Sequence, residues 1–373
     1  LPLWASAGLG LAGAAATFFV SGPQRFFANW IVWFVFVASV GLGALFLVGL
    51  GHLLGAVWIL PLRRVCERVS SLLLLAIPMG LVALFSLPHL FPWTGEAAHH
   101  PFVAGKLVWL NIPFFAVRTV VTLALWYLCY HVLVRGSLRQ DMEGGAAFAL
   151  RARKFSAFFM AVFAITVTLV SFDWISSLEP EWYSDIFGVY LFAGVFLCGI
   201  SGSILLAARM QAAGRIDGVS PDHAYNLGGL NFAFIVFWSY IAFAQYMLMW
   251  YANMPEEVFW YRDRTVGPWL PLSIALVAGH FVVPFFALVA RDAKRDLQKM
   301  RWIAGWILAM HYLDLCWLVF PSLHRGFFFG WQEVSFALLF VPLGFLVVRR
   351  TVGRGADMPV GDPRLELGLR FKL

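Results

Sequence analysis

The chain is short of charge. Asp, Glu, Lys and Arg make up 13% of its 373 residues, about half of the ~25% usual in soluble domains. Hydrophobic residues reach 61%, and the mean hydropathy is +0.79. A water-soluble globule with a large core is thereby excluded, and the bilayer is the medium that fits. Cysteine is scarce as well. Cys66, Cys129, Cys198 and Cys316 lie far apart, with no CxxC or CxxCH pattern. That argues against thiolate-held iron–sulfur, zinc and c-type haem and leaves four small hydrophobes. No phosphate-binding P-loop occurs, nor a dinucleotide fingerprint in a strand–turn–helix setting. The net charge of +7 does not point to nucleic acid, because the basic residues sit in short loops between apolar runs. What the chain has in quantity is Trp (17) and Phe (37), suited to lipid-facing surfaces and interfacial belts.

A helix needs about 20 apolar residues to cross the hydrocarbon. Such segments lie near 3–20, 29–58, 70–91, 107–134, 155–178, 184–208, 225–250, 267–290, 302–320 and 331–349. The first is read as a span rather than a signal-peptide core, since no basic stretch precedes it. The expected fold is an all-α integral membrane protein of about ten helices in one or two packed bundles. Residues 1–352 form the polytopic domain, and 353–373 form a polar tail along the surface.

Lys and Arg set the orientation. With an even number of spans, both termini share a side. That side carries Arg63, Arg64 and Arg68; Arg135, Arg139, Arg151, Arg153 and Lys154; Arg209 and Arg215; Arg291, Lys294, Arg295, Lys299 and Arg301; and six more in and before the tail, Arg354 among them. These number 21, against five opposite: Arg25, Lys106, Arg262, Arg264 and Arg325. Both termini are therefore expected to be cytoplasmic.

The stretch Ser171–Tyr190, "SFDWISSLEPEWYSDIFGVY", falls on the outer side between spans five and six. Glu179, Glu181 and Asp185 are expected at an aqueous rim, with Trp174 and Trp182 in an aromatic belt. Pro180 stops the helix after Leu178. Asp173 sits about two turns inside.

A charge at bilayer depth is costly, and its default reading is functional. The candidates are His52, Arg118, His131, Asp173, His280, His311, Asp314 and Glu333, with Asn231 and Gln245 adding polarity. Thr166, Asp173 and Ser177 lie at helical spacing on one stripe. His311 and Asp314 are i,i+3 neighbours able to pair. Asn231, Trp238 and Gln245 share a face, and Pro284 frees the carbonyl of His280. By depth, Asp173, Asp314, Gln245 and Glu333 fall in the outer half. Arg118, His280 and His311 fall near the middle, and His52 and His131 in the inner half. Converging faces would give a proton path. The structural alternative has Arg118 neutralising a carboxylate and the histidines bonding backbone. For His52, in "GLGHLLG", Gly51 and Gly55 favour close helix packing. A haem b held by two of His52, His131, His280 and His311 is a weaker reading, because no helix carries two well-spaced histidines.

Several long strings resemble one family. They are "KFSAFFMAVFAITVTLVSFDWISSLEPEWYSDIFGVYLFAG" (Lys154–Gly194), "FWSYIAFAQYMLMWYANMPEEVFWYRDR" (Phe237–Arg264), "GHFVVPFFALVARDAKRD" (Gly279–Asp296) and "RFFANWIVWFVFVASVGLGALFLVGLGHLLGAVW" (Arg25–Trp58) with "PLRRVCE" (Pro61–Glu67). They resemble the ActF-type membrane subunit of bacterial alternative complex III, a quinol:cytochrome c oxidoreductase, within the NrfD/PsrC-like group. The resemblance covers nearly the whole chain. It implies a bacterial cytoplasmic (inner) membrane, and as partners an ActC-like sister subunit and iron–sulfur and c-type haem subunits. It implies no redox metal or covalently bound cofactor in this chain. Quinone or quinol would bind here or in the sister subunit. Asp173 in "FDW" and Arg118 in "FFAVRTV" match the family pattern; His311 and Asp314 come from spacing alone.

The resulting expectation is a proton pathway and scaffold for quinol oxidation, with Asp173, His311, Asp314, Glu333, His280 and Arg118 as proton-transfer residues. The rivals are a direct quinone site, a secondary transporter, for which inverted repeats are expected, and a structural scaffold.

Overall fold

The structure, a computed structural model, describes residues 2–323, 329–353 and 355–373. Arg325 and Arg354, counted in the orientation argument, lie outside the described residues. Every regular element among the described residues is helical. Among the described residues ten helices are long and apolar enough to cross a bilayer, which makes this an all-α membrane protein. They are α1 (Leu3–Val20), α2 (Pro23–Leu54), α3 (Leu60–Leu90), α4 (Ile112–Glu143), α5 (Ala147–Leu178), α6 (Phe187–Ala212), α7 (Pro221–Ala252), α8 (Gly267–Leu288), α9 (Leu297–Ser322) and α10 (Trp331–Val352).

Two of these helices form the centre. The most apolar stretch of α2 is 89% buried and that of α6 is 83%, against 22% for α1 and 28% for α8. Apolar character does not separate centre from rim in a bilayer, because lipid tails are as apolar as leucine. Small residues do. An added Cβ on Gly43 would overlap the Val195 carbonyl, and one on Gly199 would overlap the Gly43 backbone. Only bare backbone lets α2 and α6 approach this closely. Helix α1 lies outermost on α10, with Gly10 against the Leu338–Leu339 backbone.

Three spans contain a wider, π-helical turn: His131–Arg135 in α4, Ser171–Ile175 in α5 and Val277–Val282 in α8. Such turns re-aim side chains and are frequent at functional sites. Here they carry His131, Asp173 and His280. The turn in α8 precedes Pro284, whose ring leaves the His280 carbonyl without its helical partner.

The boundaries at the arginine-rich end differ from expectation. Arg63, Arg64 and Arg68 are not in a loop; Leu60–Val69 is helical and wholly buried. Their charges hid the helix from a hydropathy reading. Acids neutralise them. Arg63 pairs with Asp362 at 2.7 Å, Arg64 with Glu67 at 2.5 Å and also with Asp141, and Arg68 with Asp357 at 2.6 Å. Asp357 and Asp362 belong to the tail, which therefore packs across this end. The His223 ring meets the Gly368 carbonyl at 2.8 Å, and Gly361 lies against the Gln140 backbone.

Two glycines expected to act alike do not. Gly51 does make a close contact, with Ile59, whereas Gly55 (φ 64°) ends α2 in the left-handed region with open space around it.

Candidate functional site

The six proposed proton-transfer residues form three separate groups, and no hydrogen bond joins one group to another among the described residues.

The first group ties α4 to α5. Arg118 Nε donates to Asp173 Oδ2 and Nη2 to Oδ1, both at 2.9 Å. Nη1 donates to the Trp109 carbonyl at 2.9 Å, and the Trp109 indole donates to Asp173 Oδ1 at 3.2 Å. The guanidinium carbon lies 4.2 Å from the Trp109 ring centroid and 4.4 Å from that of Phe114, a cation–π sandwich. Arg118 and Asp173 are both buried. Beside them is a cavity of about 10 Å³ lined by Thr119, Thr122, Trp126, Asp173 and Trp174, enough for one water. The Thr119 hydroxyl has no protein partner. The polar stripe divides its bonds. Thr166 accepts from Trp126 at 2.9 Å, and Ser177 donates to the Asp173 carbonyl at 2.5 Å.

The second group lies between α6, α7, α8 and α9. The Tyr190 hydroxyl donates to Asp314 Oδ1 at 2.5 Å. His311 Nδ1 stands 3.9 Å from Asp314 Oδ2, one water or a small shift from a hydrogen bond. The rings of His280 and His311 are 6.3 Å apart, and Trp238 lies 3.9 Å from His280. His280, His311, Asp314 and Tyr190 are all buried. Both ring nitrogens of His280 and both of His311 lack a hydrogen-bond partner, as does Gln245 Oε1. A glycine makes the room, since a Cβ on Gly194 would fall 2.5 Å from His311 Cε1. Trp238 packs on the His280 ring, Gly194 faces the His311 ring and Met310 packs on Gly279.

The third group ties α2 to α10. Glu333 accepts from Arg25 Nε at 3.1 Å and Nη2 at 2.8 Å, from Asn29 Nδ2 at 3.0 Å and from the Gly330 amide at 2.7 Å. A carboxylate with both oxygens engaged this fully acts as a clasp. His52 and His131 stand apart: His52 is buried beside Phe148, and His131 is half-buried beside Tyr127.

The rim opposite the arginine-rich end differs from expectation in three places. Glu179 does not face water. It turns inward to Arg264 at 3.0 Å. Arg264 is fully buried, stacked 3.6 Å over Trp260, and also donates to the Trp260, Trp317 and Leu318 carbonyls. Trp174 and Trp182 are not belt residues; both are buried, with Trp182 stacked on Trp260 at 4.4 Å. Glu181 and Asp185 do remain at the surface, both exposed. Sequence reasoning missed Tyr190, Trp109 and the Glu179–Arg264 pair. All are contacts between residues far apart in the chain, and no local spacing signals them.

Among the described residues no cluster of three His, Cys, Asp or Glu is arranged to hold a metal ion. No family model matches the chain, and no curated protein sequence matches it.

Proposed function

We propose that this membrane protein is a subunit of a quinol-oxidising electron-transfer complex, of the ActF type its sequence resembles. Within it, the Tyr190–Asp314–His311–His280 group takes up and passes protons. One observation carries the reading: two buried imidazoles offer four ring nitrogens without partners beside a carboxylate. Buried polar atoms are nearly always satisfied, so a purely structural group would have spent these nitrogens on backbone. Each imidazole can accept a proton at one nitrogen and release it from the other.

In this reading Tyr190 fixes the Asp314 carboxyl through Oδ1 and leaves Oδ2 facing His311 Nδ1. A proton moves between Oδ2 and Nδ1 when a water or a small shift closes the 3.9 Å gap. His280, across the ring-to-ring gap, is the next station toward the middle of the bundle. The Arg118–Asp173 and Arg25–Glu333 pairs hold the helices around this route. Quinol oxidation itself belongs to a neighbouring subunit.

The test is Asp314→Asn in the assembled complex, with proton movement and quinol turnover measured separately. Coupled proton movement should fall at least about tenfold while the complex stays intact. Wild-type proton stoichiometry in this variant would remove the proposal.

A further inference from the structure

The basic residues at the arginine-rich end are unevenly spent. Around α2 and α3, Arg63, Arg64 and Arg68 are buried in ion pairs. Between α6 and α7, Arg215 pairs with Asp357. Between α8 and α9, Arg295 pairs with Asp222 and Lys299 with Asp296, while Lys294 is buried against the Leu288, Val289 and Ala290 carbonyls. Arg209, Arg291 and Arg301 are exposed, each over an aromatic ring. The α4–α5 hairpin gathers the most exposed cations. Arg135, Arg139, Arg151, Arg153 and Lys154 are all exposed. None is in any of the ion pairs among the described residues. The hairpin carries two acids: Asp141, taken by Arg64, and Glu143, exposed at the end of α4, so the five cations outnumber the one open acid.

Their place on the helices matters as much as their number. On α4 the exposed apolar face runs through Val117, Val121 and Leu128 and ends at Arg135, Arg139 and Met142. On α5 it runs through Ile165 and Phe158 and ends at Lys154, Arg151 and Leu150. In a membrane protein that face meets acyl chains. The cations thus stand where the headgroups of those same lipids must lie. Met142 and Leu150 are exposed beside them and give the glycerol–acyl boundary an apolar surface.

We infer that the α4–α5 hairpin is a binding surface for anionic phospholipid. Arg135, Arg139, Arg151, Arg153 and Lys154 engage the headgroup phosphate, and the exposed faces of α4 and α5 engage the chains. Arginine forks match phosphate oxygens bidentately. Cations held at a bilayer surface attract acidic lipid. The inference stands on the membrane fold and on these charges, and is independent of the proposed proton chemistry.

The experiment uses the full chain reconstituted in vesicles with spin-labelled phosphatidylglycerol or spin-labelled phosphatidylcholine, read as the protein-restricted fraction of each. Phosphatidylglycerol should be preferred about fivefold, and the preference should shrink in high salt. Replacing all five cations by Gln should bring the two lipids to parity, whereas Arg349→Gln with Arg350→Gln should leave most of the preference. Equal restriction of the two lipids by the wild-type chain would overturn the inference. So would an undiminished preference in the five-Gln variant, as when the hairpin instead serves an acidic protein partner.

Discussion

Arg118 and Asp173 meet twice, Nε to Oδ2 and Nη2 to Oδ1, each at 2.9 Å, inside the α4–α5 contact. The fork leaves neither group free, and Trp109 completes the closure by accepting from the arginine and donating to the aspartate. Breaking one side of such a pair strands the other charge in a buried site. Arg118→Leu or Asp173→Leu alone should therefore cost about 3–5 kcal/mol of stability. Arg118→Leu combined with Asp173→Leu should cost much less than the two single changes together. Thermal unfolding in detergent decides; additive losses would show that the pair is not the unit described.

The closest backbone approach in the bundle gives a second prediction. Gly43 and Gly199 face each other across α2 and α6 with no space for a methyl group. Gly43→Ala or Gly199→Ala should force the two central helices apart and sharply reduce the folded yield. Gly229→Ala in α7 is the matched control, because nothing lies within 4 Å of an added Cβ there. It should be neutral or stabilising by about 0.5–1 kcal/mol. Folded yield by size-exclusion chromatography separates the cases.

These two sites mark what could be read from the chain. The ten spans were legible because the bilayer demands a long apolar helix wherever the chain crosses. His311 and Asp314 were legible as partners because i,i+3 residues share a helix face. The start of α3 was not, since Arg63, Arg64 and Arg68 look like a polar loop until Asp362, Asp141 and Asp357 are seen to neutralise them. Trp174 and Trp182 were misplaced because a tryptophan near a span end suits a belt and a core equally well. Tyr190 meets Asp314 across 124 positions and Arg264 meets Glu179 across 85, so only the packed helices reveal them.

The tail contact predicts a dependence on pH. The Arg364 and Arg63 guanidinium groups hold Asp362 down at about 2, below the ordinary 3.8, despite its burial. Arg215 and Arg68 lower Asp357 likewise. A carboxylate depressed in the folded state lends stability that is full above 3.8 and disappears as the pH falls toward 2. Protease cleavage within 355–373 should therefore be slow from neutral pH down to about 4 and accelerate below it. Asp362→Asn should make cleavage fast even at neutral pH. A tail equally resistant in this variant would mean that the Arg63–Asp362 contact does not hold it.

Placement at Asp314 and His311 can be altered without touching charge. Gly194 leaves the His311 ring its space, and a methyl group there would fall 2.5 Å from Cε1. Because α6 is central and α9 is packed against it, the ring is the part that moves. Gly194→Ala removes no titratable group, so a loss of proton movement in this variant would come from geometry alone. Coupled proton movement in the assembled complex should fall toward the Asp314→Asn level, at a stability cost of about 1–3 kcal/mol. Wild-type coupling in Gly194→Ala would mean that the 3.9 Å approach of His311 to Asp314 is not the step that matters.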